Sequence, residues 1–154
     1  NPWFARAYAK RGRAYVDLRE YREAVNDLDK AIRLDPMIAS AYSSRGLAYW
    51  RMGQALRVLE DLTEALNLDP QLAVAYVDRG LVYGGLGQNQ KAMSDFDDAV
   101  SADPNFALAY YNRAIAFTLL GNDVAARQDV EQAVQMGLNR GNLEKIINEI
   151  KAQR

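Results

Sequence analysis

Apolar residues recur along this chain at helical spacing, in blocks separated by short polar or glycine-containing breaks. Tyr8, Gly12, Tyr15 and Leu18 follow one another at intervals of four, three and three, and Ala24, Leu28 and Ala31 continue the rhythm. Such spacing keeps one face of a helix apolar and leaves the other to water. It predicts two amphipathic helices, over 5–18 and 21–34, and the same pair then returns. Tyr8, Tyr42, Tyr76 and Tyr110 lie 34 residues apart, as do Tyr15, Tyr49, Tyr83 and Phe117, and Ala31, Ala65, Ala99 and Ala133. Gly12, Gly46 and Gly80, followed by Ala114, keep the same interval. The further helices are therefore expected over 39–52, 55–68, 73–86, 89–102, 107–120 and 123–136.

The breaks agree with this periodicity. Gly53, Gly87 and Gly121 stand between paired helices, with Arg19 in that place in the first cycle, and glycine is the residue best suited to a left-handed helix end. Pro36, Pro70 and Pro104, each after Asp, separate one pair from the next. The residue before proline avoids the helical region, so Asp-Pro should end the second helix, and proline suits the start of the following one. Four cycles thus run over 5–38, 39–72, 73–106 and 107–140. Pro2 lies 34 residues before Pro36, so a longer parent array is expected. After the fourth cycle, Gly137 and Leu138 replace Asp and Pro. Over 142–154, Leu143, Ile146, Ile147 and Ile150 share one face, away from Glu144, Lys145, Glu149 and Lys151. This predicts a capping helix to about 153, covering the last apolar face as the end of a repeat stack requires.

Composition narrows the chemistry. The 154 residues carry 19 Lys and Arg against 20 Asp and Glu, a net charge of −1, so no general basic field invites nucleic acid. Cys and His are both absent, which removes thiolate ligands, cysteine nucleophiles and the commonest general base. Neither an enzyme nor a metal or other cofactor is expected. No apolar run is long enough to span a membrane. The compartment stays open, with the cytoplasm slightly favoured.

Tyr8-x3-Gly12-x2-Tyr15, followed by Ala24-x3-Leu28-x2-Ala31-x4-Pro36, resembles the signature of the tetratricopeptide repeat family, in four copies at the family's period. The Arg-Gly pairs at 11–12, 45–46 and 79–80 look like those of bacterial members. The resemblance implies an all-α, right-handed superhelical solenoid of four hairpins plus the end helix, forming one domain, with first helices lining a concave groove for protein or peptide partners. Some members hold a chaperone's C-terminal carboxylate in a Lys, Asn and Arg clamp. The matching places here hold Ala9, Arg13, Ser44, Val74 and Asp78, or one cycle later Ser43, Leu47, Asp78, Leu108 and Asn112. Neither set is that clamp, and Asp78 would repel a carboxylate, so a chaperone-tail binder is not expected.

Three features suggest chemistry at first sight. Gly80-Leu-Val-Tyr-Gly84-Gly85-Leu-Gly87 is glycine-rich, but it lacks the Lys-Ser/Thr of a phosphate loop and falls inside a predicted helix, so packing and turn glycines explain it better. The acidic cluster at 95–98 reads as a solvated helix face. Arg11, Arg45, Arg79 and Arg113 recur in phase with Asp27, Asp61, Asp95 and Asp129. Eight charges in register predict a ladder of partly buried ion pairs rather than a row of ligand-binding arginines.

On this reading the groove is basic at its start, with Arg6, Lys10 and Arg13. It passes Ser44, Leu47 and Trp50, and becomes mainly apolar at Val77, Leu81, Tyr111, Asn112 and Ile115. The function expected is a protein- or peptide-binding scaffold. The alternative is a structural module that self-associates by stacking through Trp3 and Phe4.

Overall fold

The computed structural model describes residues 2–153, so Asn1 and Arg154, which closes the expected end segment, lie outside it. Among the described residues there are nine helices and no strand: α1 (Pro2–Asp17), α2 (Tyr21–Leu34), α3 (Ala39–Arg51), α4 (Ala55–Leu68), α5 (Ala73–Gly85), α6 (Asn89–Ala102), α7 (Ala107–Leu119), α8 (Asp123–Gln135) and α9 (Arg140–Ala152). The fold is an all-α solenoid of four hairpins and an end helix. The bounds of α2 to α8 fall within a residue of those the periodicity predicts, and the two ends differ. α1 begins at Pro2, earlier than expected, because the first helical position needs no N–H of its own. α9 begins at Arg140, where the Asn139 side chain accepts a hydrogen bond from the Asn142 N–H at 3.0 Å and caps the helix.

Within hairpins, Gly53, Gly87 and Gly121 take φ of +74°, +72° and +81°, and Arg19 adopts +64° in the same place. The next residue then folds its N–H back onto an aromatic residue's carbonyl: Gln54 to Tyr49, Gln88 to Tyr83, Asn122 to Phe117 and Glu20 to Tyr15, each at 2.9 Å. Between hairpins the prolines do not start the next helix, contrary to the Asp-Pro reading. Pro36, Pro70 and Pro104 sit in the turn, and the helices begin three residues further on. The aspartates impose this. Asp35, Asp69 and Asp103 accept from the N–H groups of Met37, Gln71 and Asn105 at 3.0, 3.0 and 2.9 Å, closing a turn around each proline.

Paired helices approach closely through glycine. A Cβ on Gly12 would stand 2.6 Å from Leu28 Cγ, and one on Gly80 2.6 Å from Phe96 Cε1. Buried Leu28, Leu62 and Phe96 fill that space. Each second helix also packs on the next first helix, so the core runs along the whole stack. First helices meet at α1 with α3 and at α5 with α7, and Tyr49 of α3 shares a core cluster with Ala75 and Val82 of α5. α9 lies mainly on α7, where a further first helix would pack. It buries Leu143 and Ile147 against Ala114, Val130 and Ala133. Arg140–Glu131 at 2.5 Å and Lys151–Asp123 at 3.4 Å tie it to α8.

Candidate functional site

Two arrangements of polar side chains run the length of the stack, and only one faces a cavity. In the first, each repeated arginine grips the aspartate of its own hairpin. Arg45 donates from Nε and Nη2 to Asp61 at 2.9 and 2.7 Å, Arg79 to Asp95 at 2.9 and 2.7 Å, and Arg113 to Asp129 at 2.7 and 2.8 Å. Arg11 makes the same two-pronged contact with Asp27. All four aspartates are buried. Aromatic rings shelter the guanidinium groups: Tyr42 and Tyr49 have their centroids 5.6 and 5.9 Å from Arg45 Cζ. The hydrogen bonds from Arg11 hold Asp27 below the usual carboxylate range. At Arg45 burial opposes the charge, but hydrogen bonds and attraction from Asp61 and Asp29 outweigh it, and the guanidinium pKa is raised. The repeated charges therefore form the expected ladder.

The ladder has a further link that sequence spacing did not reveal. The remaining guanidinium nitrogen reaches back to the preceding hairpin, Arg45 Nη1 to Asp29 at 2.6 Å, Arg79 Nη1 to Thr63 at 3.3 Å and Arg113 Nη1 to Asp97 at 3.0 Å. Asp29, Thr63 and Asp97 are themselves 34 residues apart. That interval was the available signal, hidden because the middle member is uncharged. These arginines stitch neighbouring repeats and are committed to the fold.

The second arrangement lines the face formed by the first helices, in three compartments. The first, about 700 Å³ and wide open, is bordered by Arg6, Lys10, Arg13 and Ser44, with Asp35 as its one carboxylate. The second, about 120 Å³, lies between α3 and α5 and is bordered by Leu47, Trp50, Arg51, Asp78 and Leu81. The third, about 200 Å³, is bordered by Leu81, Gly84, Gly85, Phe96, Asn112, Ile115 and Leu119. Leu81 borders both of the last two. Trp50, Leu81 and Leu119 are 41%, 45% and 53% exposed.

Nine of the eleven residues assigned to the groove from sequence thus border these compartments. Val77 and Tyr111 do not. Val77 is buried with Ala99 and Ala109 where α5, α6 and α7 meet, and Tyr111 packs into the cluster that anchors α9. Ser44 and Asn112 reach the cavities but are themselves buried, and Asn112 Nδ2 donates to the Leu108 carbonyl at 2.7 Å. These positions are less open than their helical phase suggested because first helices pack side by side and cover part of the inner face. Phe96 went unrecognised. It stands where Leu28 and Leu62 stand in earlier cycles, and its larger ring floors the third compartment. Asp78 is half-buried. Burial pushes its carboxyl up to about 6, with Arg13 and Arg51 pulling the other way.

Family profiles described as TPR repeat and tetratricopeptide repeat match residues 12–53, 39–72 and 77–141. The chain belongs to the tetratricopeptide repeat family. No curated protein sequence matches it. Among solved structures, this tetratricopeptide repeat chain is similar to MamA, with 27% identity over 86% of this chain and 77% of that one and a TM-score of 0.77. It shares its fold with the first TPR of Spaghetti (RPAP3) bound to the HSP90 peptide SRMEEVD, at 22% identity, 79% and 96% coverage and a TM-score of 0.74. It shares it also with YrrB, described as a TPR protein with an unusual peptide-binding site, at 23% identity, 96% and 74% coverage and a TM-score of 0.73. Among its described residues no helix is long and apolar enough to cross a membrane.

Proposed function

We propose that the four hairpins and α9 act as one non-enzymatic scaffold that binds a protein or peptide segment along the face of the first helices. The observation that carries this reading is the row of three compartments on that face, basic at Arg6, Lys10 and Arg13 and mainly apolar from Trp50 to Leu119, with Arg51 and Asp78 between. Exposed apolar side chains gathered in one concavity favour a contact surface over scattered surface residues. The peptide bound to the Spaghetti domain and the peptide-binding site described for YrrB support the same kind of use. The partner sets acidic residues against the basic end and apolar side chains against Trp50, Leu81 and Ile115. With Asp78 in the groove, a chaperone-tail carboxylate is not the ligand.

Selection of displayed dodecapeptides on the intact chain tests this. Trp50→Ala weakens a selected peptide by about 1–3 kcal/mol, as for a central aromatic anchor, read by fluorescence anisotropy. Gln128→Lys, on the exposed side of α8, leaves it unchanged. Equal affinity for the Trp50→Ala chain, with loss on Gln128→Lys, refutes the groove. Trp3 and Phe4 are 79% and 61% exposed on α1, which keeps stacking of copies as the second reading. Light scattering that rises with concentration and is abolished by Phe4→Ser would favour it.

A further inference from the structure

Two glycines in α5 have no structural reason to be glycines. Gly12 and Gly80 leave no room for a Cβ. At Gly84 a Cβ would come only within 3.9 Å of Ala92 Cβ, and at Gly85 within 3.9 Å of Trp50 Cη2, both ordinary contacts. Neither glycine has the positive φ that marks the turn glycines. In the other cycles the place of Gly84 is held by Val16, Trp50 and Thr118, and that of Gly85 by Asp17, Arg51 and Leu119. Glycine weakens a helix relative to any of these. What the two glycines do is leave out side chains, and the third compartment occupies the space beside them.

Its volume of about 200 Å³ is on the scale of the roughly 150 Å³ apolar cavity known to hold a benzene ring. Leu81, Ile115 and Leu119 wall it, and Phe96, 4% exposed, forms its floor. Next to it, across Leu81, stands the Asp78 carboxylate. In the same phase the other cycles carry Lys10, Ser44 and Asn112. Among the described residues no hydrogen bond or ion pair to Asp78 is formed, and Arg13 and Arg51 act on it only through space. A half-buried acceptor without a donor gains most from a ligand that supplies one. Two positive charges already act there, so an uncharged N–H suits the place better than a third cation, and the arginines themselves favour carboxylates on the ligand.

We propose that Gly84 and Gly85 open a specificity pocket for one bulky apolar side chain, Phe or Leu, of a bound acidic peptide, and that Asp78 beside it accepts hydrogen bonds from uncharged N–H groups of that peptide. This rests on the groove reading above and assigns the side chain that decides which peptides bind.

The test is a dodecapeptide library displayed on phage, selected in parallel on the intact chain and on Gly84→Leu, a substitution that fills the pocket with a strong helix former. The intact chain enriches peptides with Phe or Leu at one fixed position, with Asp and Glu elsewhere and few Lys or Arg. Gly84→Leu keeps the acidic preference and loses the fixed bulky position. A fluorescein-labelled peptide from the first selection binds Gly84→Leu about 10- to 100-fold more weakly, the range for withdrawing one large apolar side chain from a pocket. Replacing its bulky residue by Ala gives a similar loss on the intact chain and little further loss on Gly84→Leu. Asp78→Ala, which removes the acceptor that an Asn side chain would keep, weakens the same peptide without lowering the melting temperature, and unchanged affinity overturns the Asp78 contact.

Acidic peptides with no fixed bulky residue, or equal affinity for both chains, overturn the pocket and leave the groove standing. Enrichment of no peptide on either chain overturns the groove and the pocket together. A dimer of the intact chain that Gly84→Leu dissociates makes the occupant a second copy, and overturns the peptide proposal.

Discussion

Replacing Arg45 by Ala removes one of the two ladder arginines, with Arg113, that bond to aspartates of two hairpins. It deletes three charge-assisted hydrogen bonds, two to Asp61 and one to Asp29. The Asp61 side chain is 7% exposed, so it is left as a buried carboxylate with neither its donors nor its counter-charge. Removing one member of a buried pair costs about 3–5 kcal/mol. Arg45 itself is 18% exposed, and the space it vacates admits water to Asp61, which lowers the expected loss to about 2–3 kcal/mol. Asp29, 35% exposed, adds the smaller share through its one charge-assisted contact. The assay is urea unfolding followed by far-UV circular dichroism at pH 7. Arg79→Ala should cost less, because its third contact is to neutral Thr63 at 3.3 Å. Arg11→Ala should cost least, because Arg11 is 57% exposed. Adding Asp61→Leu to Arg45→Ala should recover much of the loss, since the penalty lies mainly in the abandoned charge. A loss below about 0.5 kcal/mol for Arg45→Ala, against the 2–3 expected, would refute the ladder as a stabilising device. A double variant no more stable than the single one would assign the loss to packing.

The folded-state pKa of Asp78, about 6, lies above the unfolded value of about 3.9, so the folded chain holds this proton more tightly and stability falls as pH rises between the two. Asp78→Asn should therefore be more stable than the parent by about 1–3 kcal/mol at pH 7 and about equal to it at pH 4, compared by urea unfolding at both. Gly84→Ala and Gly80→Ala should shift the melting temperature in opposite directions: about 0.5–1 kcal/mol of gain at Gly84, and a loss of about 1–2 kcal/mol at Gly80, where the new methyl meets Phe96. Deleting 139–154 should uncover Val130, Ala133 and Ala114, lowering the melting temperature and producing aggregates on size-exclusion chromatography; an unchanged monomer would show that α9 is not a cap.

Much of the architecture was legible because a period of 34 places equivalent residues in equivalent surroundings. One reading of Tyr8, Gly12, Ala24 and Leu28 served for every hairpin. Arg45 and Asp61 could be paired for the same reason: a helix and its partner return both to the same place in each cycle. Helix bounds were legible at the glycine turns and on both sides of the Asp-Pro turns, although the Asp35 side chain, not the proline ring, sets the turn, and less so at Asn139, whose side chain starts α9 before the apolar spacing does. What escaped the sequence depends on how hairpins sit on one another. Packing of α6 and α7 on α5 buried Val77, and the cluster that seats α9 half covered Tyr111, although their helical phase matches the groove. The same stacking sent the third nitrogen of Arg45 to Asp29. Gly84 and Gly85 read as ordinary glycines until the nearest atoms were located, because an empty place is defined by its neighbours on α6 and α7. From the sequence, Asp78 was legible only as a charge that would repel a carboxylate. Only the tertiary structure placed it half-buried beside Leu81 with no donor among the described residues.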